Sequence, residues 1–357
     1  MMRPSVLAGG ALLVVSLVAG VAAQAQSPLA TSPFESYLEL LRQQAGIPAI
    51  SAAIVQNGEV VWERGLGYQN VDARVRATPD TPYPISNLSG TLAAALVLQC
   101  VEERRVFLDE PAATYGVALP DGSVTVRQLL THAAPATGGE SFRYDPDRFA
   151  QLGRVVETCV PQPYRKTIAV RLLEFLAMKD SVPGRDVQDD AVVAQNLFAT
   201  SVQQRYKDLL ERVAVPYKVD KKGRASRNAE LVPESLSASA GVVSTVRDLA
   251  RFDAALDSGL VLRDETLAAA WTNALGRDRL AIPTGLGWFV QRYNGQMIVW
   301  QFGQTTNGYS SLMLKIPAKR LTLILLANSD GLSSYFDLAS GDVTKSLFAV
   351  LFLRLFA

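Results

Sequence analysis

The residues able to do chemistry in this chain are few, and their spacing excludes more than it allows. A serine hydroxyl attacks a carbonyl only when a neighbouring base takes its proton. Ser-x-x-Lys on a helix is a compact solution, because three residues put both side chains on one face. The first lysine here is Lys166, and no serine stands three residues before it or any later lysine. The turn Gly-x-Ser-x-Gly, which exposes a serine above a sheet, is also missing. Ser237-Ala-Ser239-Ala-Gly241 comes nearest, with serine in the first glycine's place. A Ser-His-Asp triad would have to use His132, the one histidine. A His/Cys zinc site would consume His132, Cys100 and Cys159 together, and neither a metal nor a cofactor is expected. With 35 basic against 34 acidic side chains in 357 residues, the chain lacks the excess basicity that nucleic-acid binding requires.

The elements that must position any site begin after an address. Residues 1–25 carry Arg3, an apolar run from Val6 to Ala23, and Ala23-Gln24-Ala25. That is the pattern of a secretory signal peptide cleaved after Ala25. The run approaches the ~20 residues of a membrane anchor, but Gly9, Gly10, Gly20 and the small-residue exit favour cleavage. The expected destination is periplasmic or secreted, with no stable membrane span once the signal is removed. Export would place Cys100 and Cys159 where they can pair. Both lie in helical-looking stretches where lone buried thiols are common too, so the two readings stay open.

Residues 26–33 read as a polar linker and 34–357 as the folded domain. Phe34–Ala45 has helical spacing and stops at Gly46. Ile50–Gln56 and Glu59–Arg64 flank Asn57-Gly58, and Trp288–Tyr293 and Gln296–Trp300 flank Asn294-Gly295. Each is a strong hairpin signal. Ser310–Ile316 and Leu321–Ala327, joined by Pro317–Arg320, form a third. The middle reads as helical: Leu88–Glu103, then Thr125–Gln128 and Thr245–Asp248 as capping boxes, the second opening Val246–Ser258. Asp342–Phe356 reads as a final helix packed on the sheet. Strands at both ends and helices between them predict an α/β (α+β) architecture, an antiparallel sheet from N- and C-terminal strands with a helical middle lobe.

The string then resembles a known family. Phe107-Leu108-Asp109-Glu110-Pro111, Val126–His132, Ala240–Leu249, Gly303–Ser311, Leu312–Pro317 and Ile324–Ser329 are similar in order and spacing to landmarks of the serine β-lactamase and D-Ala-D-Ala peptidase family, in its class C-like, penicillin-binding-protein-like branch that also holds esterases. The likeness runs from about Phe34 to Ser334. It implies three motifs: Ser-x-x-Lys opening a buried helix, Tyr-x-Asn across the cleft, and Lys/His-Thr-Gly on an edge strand. Carried over residue by residue, the first falls on Asn87 and Gly90 within Tyr83–Leu92, where neither a hydroxyl nor an amine remains. The second falls on Tyr144-Asp145-Pro146, which keeps the tyrosine and loses the asparagine. The third falls near Trp300-Gln301-Phe302-Gly303. Counting back from Gly308 puts Phe302 at the cationic position, with Gln301 the alternative if the spacing is one residue longer. The resemblance also implies a structural role for His132.

Ser86 and Ser89 flank the lost nucleophile and read as capping or solvated hydroxyls. Lys218–Arg227, the one basic cluster, reads as a solvated loop. Backbone N–H groups survive side-chain substitution, so those of Asn87 and of Gly303 or Gln304 remain candidates to grip a carbonyl. The leading expectation is therefore a catalytically impaired homologue that binds a cell-wall peptide or another small peptide-, ester- or lactam-like carbonyl ligand. The alternative is an active serine hydrolase rebuilt around Ser86, Tyr144 and Gln301. A third reading is a partner-binding protein with a collapsed cleft.

Overall fold

A computed structural model describes residues 31–133, 141–276 and 278–357. The signal-peptide reading and most of the linker lie outside the described residues. Helix α1 spans Thr31–Gln44, three residues earlier than its apolar spacing suggests, and Gly46 ends it with φ 64°. Strands β1 (Ala49–Gln56) and β2 (Glu59–Asn70) follow, and β3 is the short Val75–Arg76. The C-terminal half adds β4 (Phe289–Tyr293), β5 (Gln296–Thr305), β6 (Tyr309–Ile316) and β7 (Leu321–Ala327). Both Asn-Gly turns take the left-handed backbone that suits a two-residue hairpin: Asn57 and Gly58 at φ 53° and 82°, Asn294 and Gly295 at 48° and 79°.

These seven strands form one antiparallel sheet in the order β3-β2-β1-β7-β6-β5-β4. The first and last strands lie side by side, from Ile50↔Ala327 to Gln56↔Leu321. Strand alternation then sorts the side chains. One face packs Ile50, Ile54, Leu312, Leu314, Leu323 and Leu325 against α1 and the C-terminal helix α5 (Leu347–Phe356). The other packs Ala53, Val55, Val299, Met313 and Ile324 against the helical lobe. Helix α5 is shorter than Asp342–Phe356, because Asp342 caps a separate turn at Val343–Lys345 and Ser346 caps the helix itself.

The lobe is built around α2 (Ser89–Glu102), buried on nearly every side, as expected of a helix apolar all round. Helix α3 (Leu152–Cys159) lies against it. Cys100 and Cys159 form a disulfide between these two helices, Cα atoms 6.1 Å apart. Helix α4 (Val246–Asp257) joins the lobe to the sheet. The Thr125–Gln128 capping box forms in both directions. The Thr245–Asp248 box forms in one direction only. Thr245 Oγ1 accepts from Asp248 N–H at 3.2 Å, but the Asp248 carboxylate turns to Ser181 Oγ and Asp180 N–H, each at 2.8 Å.

On the same side of the sheet, β6 sends the fully buried Lys315 toward α4. Its Nζ meets Asp253 at 3.0 Å, Asp257 at 2.8 Å and Thr322 Oγ1 at 3.1 Å. Among the described residues Asp253 Oδ2 is buried with no hydrogen-bond partner, and burial pushes that carboxyl above its ordinary range. Lys218–Arg227 is not a loop throughout. Tyr217–Val219 pairs with Ala225–Arg227 as a small ribbon, and its charges face Glu230, Asp220 and Asp72.

Candidate functional site

The turn Ser86–Leu88 opens α2 and lies alongside the end of β5. The first N–H groups of a helix have no acceptor within it, and none of the described residues accepts from Asn87 N–H. Gly303 makes this approach feasible. A Cβ there would stand 2.2 Å from Ile85 O and 3.0 Å from Asn87 N, so only glycine lets the strand come so close. Strand β4 pairs with β5 only as far as Trp300, which leaves residues 301–305 as an open edge beside the turn. Phe302 N–H points out of that edge, since it donates to Gln301 Oε1 at 2.9 Å. By alternation, Gln304 N–H points the same way.

Alternation also decides the register of the third motif. Gln301 shares a face with Val299 and Gly303, toward α2. Phe302 belongs to the opposite face, buried with Trp300 and Phe289. Of the two residues offered for the cationic position, Gln301 thus faces the lobe, and Phe302, the first choice on spacing, is a core residue.

Gly90 is covered by an aromatic ring. A Cβ on it would lie 3.2 Å from Phe149 Cε1. Phe149 stacks on His132 at 5.2 Å, and His132 meets Tyr144 at 4.6 Å. Tyr144 continues the contact to Phe302 at 5.3 Å and Phe289 at 5.5 Å. The half-buried Tyr144 has its phenol pushed up by desolvation, and no hydrogen bond to it is found among the described residues. Ser86, Tyr144 and Gln301 are thus not assembled. Ser86 bonds to Thr305, Tyr144 stacks on rings, and Gln301 bonds to its own strand.

Ser86 and Ser89 are neither caps nor solvated. Both are fully buried, and neither side chain caps its helix. Ser89 Oγ accepts from Val242 N–H at 3.3 Å. Ser86 has φ 48°, which directs its hydroxyl behind the turn, to Thr305 Oγ1 at 2.5 Å.

His132 has no base to offer. Its Nδ1 accepts from Asp145 N–H at 3.1 Å, so the ring proton sits on Nε2, and burial lowers its pKa to about 4. A buried neutral histidine makes stability pH-dependent. The folded ring resists a proton that the unfolded chain accepts near 6.5, so its contribution is complete above that pH and is lost as pH falls toward 4. Denaturant titrations at pH 7 and pH 5 should show about 2 kcal/mol of loss from this group. Asn tolerates His132's φ of 53° and can still accept from Asp145, so His132→Asn should remove that part of the pH dependence. An unchanged pH profile in the variant would contradict the assignment.

Comparison with known proteins fits this geometry. A sequence profile described as Beta-lactamase matches residues 34–348. The chain belongs to the Beta-lactamase family. Its sheet and lobe superpose on the octameric penicillin-binding protein homologue from Pyrococcus abyssi with a TM-score of 0.72 and 24% identity, over 92% of this chain and 78% of that one. The D-alanine carboxypeptidase AmpC from Burkholderia cenocepacia gives 0.68 at 19% identity, over 90% and 98%. Both likenesses establish the fold. In sequence, Protein flp of Staphylococcus aureus (strain NCTC 8325 / PS 47) is 26% identical over 173 residues, 38% of this chain and 35% of that protein. This Beta-lactamase family member thus spans about a third of the length of that curated relative.

Motif matching reached the positions it names and missed what surrounds them. Phe149, Thr305 and Glu234 lie outside all three motifs. Glu234 belongs to the segment between Asn228 and Val242 and lines a small cavity with Pro84 and Thr305. No spacing rule links positions 86, 234 and 305; only the fold does.

Proposed function

We propose that this protein is an exported, non-hydrolytic member of its family that binds a small carbonyl ligand of peptide, ester or lactam type on the backbone donors at Asn87 and Gln304. The carrying observation is the Phe149 ring over Gly90. At the position where the resemblance expects the base, the space holds an aromatic edge. Asn87 supplies no hydroxyl to deprotonate, and His132 is engaged through Nδ1 and held neutral. In a comparable hydrolase, loss of the nucleophile or its base costs on the order of 10⁶ in turnover. The donors that would hold a carbonyl are main-chain groups and do not depend on those side chains. A cell-wall peptide is a natural ligand class for such a site in the periplasm or outside the cell.

Intact-mass spectrometry after incubation with a penicillin and with an activated ester tests the first half. No acyl adduct is expected from protein that melts cooperatively. A stoichiometric adduct would overturn the reading, and one mapped to Ser86 would establish the rebuilt hydrolase instead. For the second half, N-acetylated dipeptides and amides should raise the melting temperature with concentration. No shift from any of them would favour a partner-binding protein with a closed cleft.

A further inference from the structure

The outward side of the layer formed by α1 and α5 is built unlike a solvated surface. Helix α1 has three charged residues, and all are turned aside. Glu35 bonds to Trp62 Nε1 at 3.1 Å and pairs with Arg64, Glu39 pairs with Arg42, and Arg42 also donates to Ile47 O. The exposed residues of α1 carry no charge, whereas a surface helix ordinarily sets charged groups opposite its buried stripe. Tyr37, Leu40, Tyr335 and Leu347 are each more than half exposed. Tyr37 shares a stripe of α1 with Leu41. Leu41 and Ala45 line a groove of about 430 Å³ together with Tyr335, Phe336, Leu347 and Phe348.

The rim of this groove is cationic. Asp220, Lys221 and Gly223, in the turn of the small ribbon, complete its wall. A Cβ on Gly46 would overlap the Gly223 carbonyl oxygen, so that turn is seated against the end of α1. Arg354 continues the outer stripe of α5 from Leu347 and Leu351. Among the described residues Lys221, Lys222 and Arg354 make no ion pair. The acidic groups beside them are occupied: Asp220 by Arg224 and Asp337 by Lys345, each at 2.7 Å.

We infer that this face docks on an anionic phospholipid surface, its apolar groups entering the interface while Lys221, Lys222 and Arg354 meet phosphate headgroups. Apolar area flanked by basic residues is the composition that holds a helix in the interfacial plane, and tyrosine favours that depth. The sequence supplies the encounter. The apolar run Val6–Ala23 is of a kind that enters a bilayer, as a leader or as an anchor. Residues 24–30 allow at most about 28 Å between that run and Thr31. A second copy of the chain fits less well, because a two-fold contact would set the cationic rim against its own equal. Docking here turns the opposite face of the sheet outward, and with it the helical lobe whose α2 begins at the Asn87 turn.

Vesicle co-sedimentation tests the assignment. The protein purified from an exporting host, its N-terminus established by intact mass, is compared on vesicles of equal parts phosphatidylglycerol and phosphatidylcholine and on phosphatidylcholine alone. Binding to the mixed vesicles is expected to be tighter by about tenfold or more, and to weaken as salt screens the surface. Lys221→Glu with Lys222→Glu should weaken it by about twentyfold or more, since each basic residue near an anionic surface is worth roughly fivefold. Leu40→Ser with Leu347→Ser should weaken it to a similar degree. All four positions are exposed, so both double variants should melt as wild type does. No binding, equal binding to the two kinds of vesicle, or binding that both variants retain in full would each overturn the proposal, the last by assigning attachment to the segment before α1. A concentration-dependent dimer that Leu40→Ser with Leu347→Ser abolishes, in a protein that ignores vesicles, would give the face to a second copy instead. None of these outcomes bears on the carbonyl-binding reading, which stands or falls on its own test.

Discussion

Lys315→Ala is expected to lower the unfolding free energy by about 3–5 kcal/mol, the range for breaking a buried ion pair from one side. Lys315 and Asp253 are both excluded from solvent, with side-chain exposures of 2% and 0%. Asp257 is scarcely more open, and its second cation, Arg320, is 3.9 Å away. Removing the ammonium leaves two neighbouring carboxylates on α4 with almost nothing to offset them. Asp253 already carries an orphan oxygen, so its desolvation is incompletely compensated in the native protein. The network therefore contributes less than its contacts suggest, and removing both partners should cost far less than removing one. Lys315→Met combined with Asp253→Leu is expected to recover more than half of the loss in denaturant titrations. A double variant no better than Lys315→Ala would mean that the charges themselves, and not the avoidance of an unpaired one, hold α4 to the sheet.

Replacing Cys100 and Cys159 by alanine together should cost about 4 kcal/mol, the loop-closure value for a bridge of this span. The two residues are 59 apart in sequence, and the closed loop includes His132 and Phe149. The measurement is the denaturation midpoint of the double variant against the oxidised parent, with reduced parent as a second comparison. A shift under about 1 kcal/mol would show that helix packing alone keeps α3 on α2. The prediction also bears on location. A chain purified from its native compartment should have no titratable thiols if that compartment is oxidising.

Much of the architecture was legible because it rests on local chemistry. Asn57-Gly58 and Asn294-Gly295 specify their turns through backbone conformations that few other residue pairs accept. β-Rich runs flanking the turns marked the central strands, and the long apolar stretch after Leu88 marked the buried helix. Helix ends were less certain. Asp342 begins a separate turn because its side chain accepts from Thr344 N–H, a choice that spacing alone does not reveal. Asp248 likewise preferred Ser181, more than sixty residues away in sequence, to its own helix start.

The site divides in the same way. Absence of Ser-x-x-Lys is a fact about the string, and it needed no coordinates. The choice between Gln301 and Phe302 turned on which residue faces the lobe, and that depended on where Gly303 meets the Ile85 carbonyl. Burial of Ser86 was illegible because a left-handed residue reverses the direction expected from a regular helix. Glu234 lies in an irregular segment and Phe149 in the five-residue helix Pro146–Ala150, both too short on pattern for periodicity to carry information.

The ring above Gly90 decides what a side chain at that position would meet. A vacant position can be refilled by one substitution, because the space for the returning side chain is still there. Here an aromatic edge lies against the position. Lysine at 90 would set its Cβ 3.2 Å from Phe149 Cε1, and the ring that must give way is itself braced by His132 and, through it, by Tyr144. A side chain at position 90 is thereby tied to the placement of Phe149, His132 and Tyr144 together.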